Sequence, residues 1–431
     1  MLYRKNIINM NNLKIAVVGS GISGLSCSWL LSKKHDVYLF EKNNYFGGHA
    51  DTETIIDKDF SKIQIDTGFI VLNEINYKNL INLFKSLNVE TYASDMSFSV
   101  SKNLGELEYS GSSLQGLFSQ KKNLLNKSFV KMIYEIIKFY LTVEKEKDEF
   151  RNLTLSQYLE VRNYSDYFKL NHIYPMAGSI WSSSFEQISK YPFAEFVNFF
   201  SNHGLLKLFN RPKWRTVLGG SKSYVKKIIN LKNIKSFKNT KVKVIDRTYN
   251  SKIVLEINKK KEIFDKLVIA THSDEALKLL NDITENEKEA LEKIKFTNNV
   301  TYLHKDEKLM PLLKKNWSSW NFVSDNNDNK RINVTYWMNN LQNLGTSENY
   351  FVSLNPVSPP KKEKIIIKKN YSHPLFTRQT FEAQKQILKL QGKKNTWFCG
   401  AYLGYGFHED GIKSGLKVAE NITGLQRPWE K

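Results

Sequence analysis

A glycine-rich turn between two apolar runs is the feature that most restricts the fold of this chain. The segment KIAVVG at 14–19 is apolar and rich in β-branched residues, which predicts a buried parallel strand. Three glycines follow in G-x-G-x-x-G spacing: Gly19, Gly21 and Gly24. Residues 25–34 have helical periodicity, and DVYLFEK at 36–42 predicts a second strand. Strand, tight turn, helix and strand in this order predict a Rossmann-like unit.

The positions of the glycines and of one acid predict an adenine dinucleotide as the ligand. The first glycine of such a turn allows the bend, the second admits the pyrophosphate, and the third lets helix and strand pack closely. The helix N-terminus then offers free N–H groups to the phosphates. Glu41 lies 22 residues after Gly19, where the acid that binds the ribose hydroxyls is expected. Since a carboxylate repels a 2′-phosphate, Glu41 argues against NADP. A glycine-rich turn in an unrelated α/β protein is the alternative.

The residues after Glu41 separate flavin from nicotinamide. Gly47 and Gly48 complete an E-x5-G-G pattern, and DTGF follows at 66–69. This arrangement resembles the FAD-binding amine-oxidase-like superfamily, which includes protoporphyrinogen oxidases and phytoene desaturases. The resemblance implies that the glycine pair passes near the FAD pyrophosphate. His49 stands where Arg is usual, and cofactor contact is the role implied for it.

Three later segments extend this resemblance and imply further FAD contacts. NTKVKVIDRT at 239–248 is similar to a strand that touches adenine, here through Val242 or Val244. FDKLVIATHSDEALKLL at 264–280 resembles a buried strand whose Ala-Thr corner passes beside the nucleotide. WFCGAYLGYGFHEDGIKSGLKVAENI at 397–422 resembles the strand, glycine-rich loop and helix that face the flavin. The cofactor residues implied by these segments are Val244, Ala270, Thr271, Gly400, Gly406, Asp410 and Gly411.

A narrower resemblance covers nearly the whole chain. Segments such as YPMAGSIWSSS at 174–184 and TYWMNNLQ at 335–342 are similar to one bacterial family of predicted NAD/FAD-binding proteins. Genes of that family often stand beside cyclopropane-fatty-acid-synthase-like methyltransferases. The resemblance implies redox chemistry on unsaturated, methylated or cyclopropanated acyl chains, and a lipid methyltransferase as functional partner.

The fold class expected is α/β, with a discontinuous FAD-binding domain and an α+β substrate domain built from two insertions. We expect the FAD-binding domain to comprise residues 12–100, 211–296 and 386–424. The substrate domain then comprises 101–210 and 297–385. Sheet-like alternation at 298–305 and 331–339 predicts a wall of strands in the second insertion.

Aromatic residues of the insertions are the candidates for an apolar substrate pocket, because aromatic walls exclude water without requiring hydrogen bonds. The candidates are Trp181, Trp317, Trp320, Tyr336 and Trp337. Each of them suits an ordinary core equally well.

Catalytic residues are harder to assign. A bound flavin takes up a hydride directly, but desaturation also releases a proton, which a base assists. His203 and His304 are the candidates, since each interrupts an apolar context; a buried structural histidine is the alternative for both. Cys27 and Cys399 lie far apart, so we expect neither a disulfide framework nor a metal site, and we interpret Cys399 as a small core residue.

The net charge of +21 does not indicate nucleic-acid binding, because the lysines are scattered and no Arg-rich stripe is present. A Lys-rich surface can attract anionic lipid headgroups instead. The segment FVKMIYEIIKFYL at 129–141 predicts an amphipathic helix that either packs inside the protein or faces a membrane. The first twelve residues do not resemble a secretory signal, Met10 is an alternative start, and no run is apolar enough to span a bilayer. We expect a cytoplasmic protein with possible peripheral contact at the inner membrane face.

These observations lead to one expectation and two alternatives. We expect an FAD-dependent oxidoreductase that removes or moves hydrogens on a lipid acyl chain. A flavin amine oxidase is the first alternative. A flavin-binding accessory protein of a lipid methyltransferase is the second.

Overall fold

The computed structural model describes residues 12–103, 105–207, 210–325 and 332–430. Met10, the alternative start, lies outside the described residues. Two compact units are formed by interleaved pieces of the chain. The first unit contains residues 12–48, 224–293 and 383–430, and the second contains 49–223 and 294–382.

The strands are short and are distributed along the whole chain. In chain order they are β1 (Lys14–Val18), β2 (Asp36–Phe40), β3 (Thr52–Ile56), β4 (Lys62–Asp66), β5 (Val71–Asn73), β6 (Thr91–Ser94), β7 (Phe98–Lys102), β8 (Leu107–Ser110), β9 (Trp214–Val217), β10 (Ile234–Phe237), β11 (Val242–Asp246), β12 (Ile253–Ile257), β13 (Lys260–Phe264), β14 (Lys266–Ile269), β15 (Phe296–His304), β16 (Trp320–Ser324), β17 (Val334–Trp337), β18 (Phe351–Leu354), β19 (Ile365–Pro374) and β20 (Thr396–Phe398).

The helices are concentrated between β8 and β9. In chain order they are α1 (Ile22–Leu31), α2 (Lys78–Leu87), α3 (Leu114–Leu117), α4 (Lys127–Glu146), α5 (Leu155–Val161), α6 (Asp166–Phe168), α7 (Tyr174–Trp181), α8 (Phe185–Ser189), α9 (Phe193–Asn202), α10 (Lys222–Ile229), α11 (Ser273–Leu279), α12 (Glu285–Glu292), α13 (Met338–Leu341), α14 (Arg378–Leu388) and α15 (His408–Thr423). A π-helical turn, Lys169–Ile173, connects α6 to α7.

The first unit is built on a parallel five-stranded sheet with the order β10-β2-β1-β14-β20. β1 lies in its centre, where Val17 is opposite Leu39 and Val268. Four of its five residues are buried, since a central parallel strand is covered on both faces. The antiparallel sheet β11-β12-β13 completes the strands of this unit. The predicted strand–turn–helix–strand order and the parallel sheet are confirmed.

The second unit contains a seven-stranded mixed sheet with the order β19-β15-β18-β17-β16-β7-β8. Neighbouring strands are antiparallel except for β16 and β7, which run parallel. Two smaller sheets, β3-β4 and β5-β9-β6, belong to the same unit. The combination of this strand wall with helices α3 to α9 confirms the predicted mixed α/β fold class.

The boundaries of the compact units differ from the predicted domain boundaries. Residues 49–100 and 211–223, expected in the first domain, lie in the second unit. Contacts with the later strands explain the difference. β7 pairs with β16, the Ser94 hydroxyl donates to the Leu341 carbonyl, and the Gln342 amide donates to Asp66. β9 pairs with β5 and β6, so residues 211–223 belong to the same unit.

Within the described residues, no helix is long and apolar enough to cross a membrane.

Candidate functional site

The carboxyl ends of neighbouring parallel strands bring several predicted residues to one edge of the sheet. Gly19 follows β1, Glu41 follows β2, Ala270 follows β14, and Gly400 lies two residues after β20. Ligands of open parallel sheets bind at this edge. The structure therefore places four predicted cofactor residues together, although they are far apart in sequence.

The three glycines of the first turn have different surroundings. Gly19 has a φ of +104°, and a Cβ there would lie 2.6 Å from the Ala270 carbonyl oxygen. A Cβ on Gly24 would lie 2.0 Å from the Gly19 oxygen. Around a Cβ on Gly21, by contrast, no atom of the described residues outside its chain neighbours lies within 4 Å. Gly19 and Gly24 are thus required for packing, whereas Gly21 borders open space that a phosphate can occupy.

Helix α1 begins directly beside that space. Gly21 is its N-cap residue and supplies no side-chain hydrogen bond to the first turn. Helix N-termini carry partial positive charge and unsatisfied N–H groups, which favour a bound phosphate. Gly48 contributes to the same place, because a Cβ on it would lie 3.1 Å from the Gly21 Cα.

Glu41 is buried and connected to the glycine turn through Ser20. Its Oε2 accepts hydrogen bonds from the Ser20 hydroxyl at 2.6 Å and from the Ser20 N–H at 3.1 Å. Its Oε1 accepts one from the Asn43 N–H at 2.9 Å. The Gly47 N–H donates to the Ser20 carbonyl at 3.1 Å, so Ser20 joins the turn, the acid and the glycine pair. Sequence analysis did not single out Ser20.

A second helix N-terminus lies beside the first. A Cβ on Gly411 would lie 2.7 Å from the Ile22 side chain, and one on Gly415 would lie 2.1 Å from the Ser23 carbonyl oxygen. These small residues let α15 pack closely against α1 in parallel orientation. Both N-termini therefore reach the carboxyl edge of the sheet.

Asp410 stabilises the start of α15. Its Oδ2 accepts a hydrogen bond from the Phe407 N–H at 3.0 Å, as a capping carboxylate does. Desolvation by the surrounding protein raises the pKa of Asp410 to about 6, although its hydrogen bonds from backbone N–H groups oppose the shift. Nearby Gly406 has a φ of +92°, which suits glycine. A cofactor contact for either residue stays a prediction.

The remaining predicted residues of the first unit are held by burial or by hydrogen bonds. Val244 is fully buried, and its carbonyl accepts a hydrogen bond from the Asn281 N–H at 3.1 Å. Ala270 donates its N–H to the Val18 carbonyl, and the Thr271 hydroxyl donates to the His272 carbonyl. Cys399 is fully buried, which agrees with a core role.

In the second unit, His49 contacts a polar cluster on β19. Its ring lies 5.0 Å from the ring of Tyr371 and 5.2 Å from that of His373, measured between centroids. The His49 carbonyl accepts a hydrogen bond from the Phe69 N–H at 2.7 Å. A Cβ on Gly68 would lie 2.3 Å from the same oxygen, so the DTGF segment packs directly on His49.

Hydrogen bonds connect the other members of this cluster. The Tyr371 hydroxyl lies 2.7 Å from the Thr67 hydroxyl and donates to Asp51 at 2.9 Å. Lys369 forms ion pairs with Asp51 and Glu53. Asn299 lies 2.9 Å from the Nδ1 of His373. Burial, and to a smaller extent the charge of His49, lower the pKa of His373 to about 3, which keeps its ring neutral.

Sequence analysis missed Lys369, Tyr371 and His373. Their alternation along β19 was the available signal, since every second residue points to the same face of a strand. Only the pairing of β19 with β15, which places Asn299 opposite Tyr371, shows that these residues belong to one polar cluster.

The same face of the seven-stranded sheet continues as an apolar row. Residues directly opposite one another on successive strands form it: Ile367, Leu303, Val352, Tyr336, Trp320 and Phe98. Trp320 and Tyr336 meet edge to face at 4.8 Å and are only partly buried. This sheet face therefore changes from polar, at Lys369, Tyr371 and His373, to apolar and aromatic.

The other three pocket candidates lie elsewhere. Trp337 follows Tyr336 and points to the opposite face, where it packs against Trp317 at 5.5 Å. The indole N–H of Trp317 donates to the Pro311 carbonyl, and that of Trp337 donates to Asn349. Trp181 is buried among helix residues, 4.5 Å from the ring of Tyr191. Strand alternation thus separates residues that sequence analysis had grouped.

The two catalytic candidates, His304 and His203, both make the contacts of structural histidines. His304 is fully buried, with Nε2 2.8 Å from the Ser353 hydroxyl and Nδ1 accepting the Asp306 N–H at 3.0 Å. Both of its ring nitrogens are therefore occupied. His203 lies at the end of α9 and has Nδ1 2.9 Å from the Phe199 carbonyl oxygen, with its ring stacked on Phe199. Burial lowers the pKa of each imidazole to about 4. This geometry favours the structural alternative for both.

Comparisons with known proteins agree with this architecture. Residues 17–87 match the model of an NAD(P)-binding Rossmann-like domain. A comparison with curated protein sequences finds no match. Among solved structures, a protein from Exiguobacterium sp. 255-15 assigned as a protoporphyrinogen oxidase is similar, with a TM-score of 0.69 and 14% identity over 96% of this chain and 99% of that one.

Two further solved structures are similar over almost their whole length. The fatty acid isomerase from P. acnes that produces CLA has a TM-score of 0.65 and 14% identity, over 96% of this chain and 98% of that one. Cyclohexylamine oxidase from Brevibacterium oxydans IH-35A has a TM-score of 0.66 and 13% identity, over 95% and 98%. The chain therefore shares the mixed α/β fold of these three proteins, with a Rossmann-like region at its first glycine turn.

Proposed function

We propose that this protein is an FAD-dependent oxidoreductase that removes or moves hydrogens on an apolar acyl chain. The observation that carries the cofactor assignment is the open space at Gly21. It is bordered by the N-terminus of α1 and by Gly48, and the buried Glu41 lies at the end of the next strand. This space and its donors match a dinucleotide pyrophosphate and ribose.

The residues of the first unit have separate tasks in holding FAD. The N–H groups at the start of α1 and the backbone of Gly21 and Gly48 receive the pyrophosphate. Glu41 accepts hydrogen bonds from the ribose hydroxyls while Ser20 and Asn43 hold the carboxylate in place. The negative charge of Glu41 disfavours a 2′-phosphate on the ribose. FAD, when bound, supplies hydride acceptance, and the protein binds, orients and excludes water.

An apolar substrate is supported by Trp320 and Tyr336 of the apolar row. Both rings are only partly buried and pack beside the hydrophobic core that contains Leu303 and Val352, so they can contact a hydrocarbon chain. The polar cluster at Tyr371 and His373 occupies the other end of the face and can bind the polar part of an amphiphile. The similar fold of the P. acnes fatty acid isomerase supports the same substrate class.

The proton released in a desaturation needs an acceptor. His304 does not suit this task, because both of its ring nitrogens are engaged. The ring of His373 lies on the proposed substrate face, but burial lowers its pKa to about 3, so its role is to orient the polar part of the substrate and not to hold the proton. A lipid methyltransferase as functional partner remains part of the proposal, supported by the narrower sequence resemblance.

Amine oxidation is the second candidate function. It is favoured by the similar folds of cyclohexylamine oxidase and of a putrescine oxidase solved with putrescine, whose TM-score is 0.62. The ion pairs of Lys369 with Asp51 and Glu53 show that this cluster carries carboxylates that a cationic amine could also contact.

Two measurements test the proposal. The visible spectrum of the purified protein should show bound flavin, and unsaturated fatty acids should bleach it under anaerobic conditions. Mass spectrometry of membrane lipids, with and without the gene, should then show one acyl species that differs by two hydrogens or in double-bond position. Bleaching by cyclohexylamine or putrescine, with unchanged lipids, would assign the protein to amine oxidation instead. Bound flavin that neither substrate reduces, together with unchanged membrane lipids, would favour the accessory-protein alternative.

A further inference from the structure

Helix α4 carries an apolar stripe that faces solvent. One side of the helix is buried in the second unit through Phe129, Met132, Phe139 and Val143. On the other side, Tyr134 is 66% exposed and Leu141 is 61% exposed, and Val130 and Ile137 are exposed as well. These four residues follow one another at intervals of four, three and four, so they form one continuous stripe along the helix.

The stripe continues into the segment before the helix. Leu124 is exposed, and Leu125 is 89% exposed. Together with Val130 and Tyr134, these leucines line a shallow surface groove whose remaining lining residues are Lys127 and Lys131. We define the α4 surface as Leu124, Leu125, Val130, Tyr134, Ile137 and Leu141. A continuous exposed apolar surface of this kind marks a contact site more often than an ordinary solvent face.

Lysines border the α4 surface on one flank. At 100° per residue, the four lysines of the helix fall within a narrow sector beside the stripe: Lys127, Lys131, Lys138 and Lys145. Among them, in the described part of the chain, only Lys131 forms a salt bridge, with Glu135 at 3.9 Å. Glu135 itself is buried and accepts hydrogen bonds from Ser165.

Two further lysines precede the helix, and the acids lie apart from this flank. Lys121 and Lys122 precede the exposed leucines, separated from them by the buried Asn123. Glu144 lies on the opposite flank near the C-terminal end of α4, and Glu146 is paired with Arg162. The N-terminal two-thirds of the surface therefore combine exposed apolar side chains with positive charge.

We propose that the α4 surface binds the surface of an anionic phospholipid bilayer, with α4 lying in the plane of the interface. Apolar residues of such a helix enter the boundary of headgroups and acyl chains, while flanking lysines contact anionic headgroups. The charge pattern favours this occupant over a second copy of the chain. A two-fold contact would bring the same lysine-rich flank of both copies into one interface. The proposal is independent of the reaction that the protein catalyses.

Vesicle sedimentation tests this proposal with the full-length protein. The protein should sediment with vesicles that contain phosphatidylglycerol, sediment much less with pure phosphatidylcholine vesicles, and lose binding as salt is raised. K127Q/K131Q should lower the apparent partition coefficient about 25-fold, a factor of about five for each lysine. L125S/Y134S should lower it by at least the same factor, because it removes two of the most exposed apolar side chains of the surface.

Matched control variants distinguish the contribution of the α4 surface to vesicle binding from general effects of charge and polarity. K260Q/K261Q removes the same charge from the exposed hairpin of β12 and β13, and L388S changes an exposed leucine of α14. Both should bind vesicles like the unchanged protein, and all variants should keep its circular dichroism spectrum and melting temperature. Equal losses in the controls, or no preference for phosphatidylglycerol, would overturn the proposal. Self-association that L125S/Y134S abolishes would assign the surface to a second copy instead.

Discussion

The hydroxyl of Ser20 donates a hydrogen bond of 2.6 Å to the carboxylate of Glu41. This bond joins the glycine turn after β1 to the acid after β2. The same carboxylate also accepts hydrogen bonds from the backbone N–H groups of Ser20 and Asn43. Glu41 is thereby held at the edge of the sheet before any ribose reaches it.

We expect Glu41→Ala to weaken FAD binding about 10- to 100-fold, because hydrogen bonds to a charged acceptor contribute about 1.5–3 kcal/mol. Ser20→Ala should have a smaller effect, since it removes only the residue that orients the acid. Fluorescence titration of the apoprotein with FAD measures both. Glu90→Gln, which also removes one negative charge but at an exposed position, is the control variant. An unchanged affinity in Glu41→Ala would remove the proposed ribose contact.

We expect Gly21→Ala to impair flavin binding and Gly24→Ala to impair folding stability. A methyl group on Gly21 enters open space, so the protein should fold with nearly unchanged stability but lose flavin. A methyl group on Gly24 meets the Gly19 oxygen, and such overpacking costs about 1–3 kcal/mol or more. Thermal unfolding and flavin content distinguish the two. Retention of FAD by Gly21→Ala would show that the space at this glycine is not the pyrophosphate site.

Asp410 should make the protein less stable as the pH rises. Its pKa in the folded protein is about 6, above the ordinary 3.8, so the folded state binds more protons between these values. The stabilisation is complete below about pH 4 and is lost as the pH rises through about 6. The difference in the free energy of unfolding between the unchanged protein and Asp410→Asn should therefore fall by up to about 3 kcal/mol. Urea unfolding from pH 4 to 7 measures it, and Glu292→Gln should show no such trend.

Trp320→Ala should impair substrate use, whereas Trp317→Ala should not. Trp320 lies in the apolar row on the face that also carries His373, and Trp317 packs on the opposite face against Trp337. Loss of a buried aromatic contact with the acyl chain, about 1.5–3 kcal/mol, lowers kcat/KM about 10- to 100-fold. The rate of anaerobic flavin bleaching by an unsaturated fatty acid measures it. Equal kinetic losses in both variants would place the substrate elsewhere.

His304→Asn should reduce stability without removing activity. The imidazole connects Ser353 to the Asp306 N–H inside the sheet, and breaking such buried bonds costs about 1–3 kcal/mol. Well below the melting temperature, the flavin reduction rate should stay within about twofold of the original. His373→Asn, which changes the polar end of the proposed substrate face, is the contrasting variant and should slow reduction. A large rate loss in His304→Asn alone would restore it as a catalytic residue.

The sequence predicted the first unit better than the second, because the signals for the first unit lie within short stretches of sequence. The glycine turn, Glu41 and the Ala-Thr corner each follow the strand that positions them, so a few consecutive residues contain the signal. Ser20 was missed because serine has no fixed role in this pattern; its contact with Glu41 depends on the spacing of two neighbouring strands.

In the second unit the informative relationships are long-range. Tyr336 and Trp337 are neighbours in sequence, but alternation places them on opposite faces, and only strand pairing shows which face carries Tyr371 and His373. The pairing of β7 with β16 likewise joins segments more than two hundred residues apart, and it places Phe98, expected in the first domain, opposite Trp320 of the expected substrate domain.

The strand order of the parallel sheet has a consequence for biosynthesis. β20, at one edge, is formed by residues 396–398, more than 350 residues after β2, which ends at Phe40. A nascent chain on the ribosome therefore lacks an edge strand and helix α15 long after β1 and β2 have been made. Its exposed sheet edge is a target for chaperones and a risk for aggregation during that interval.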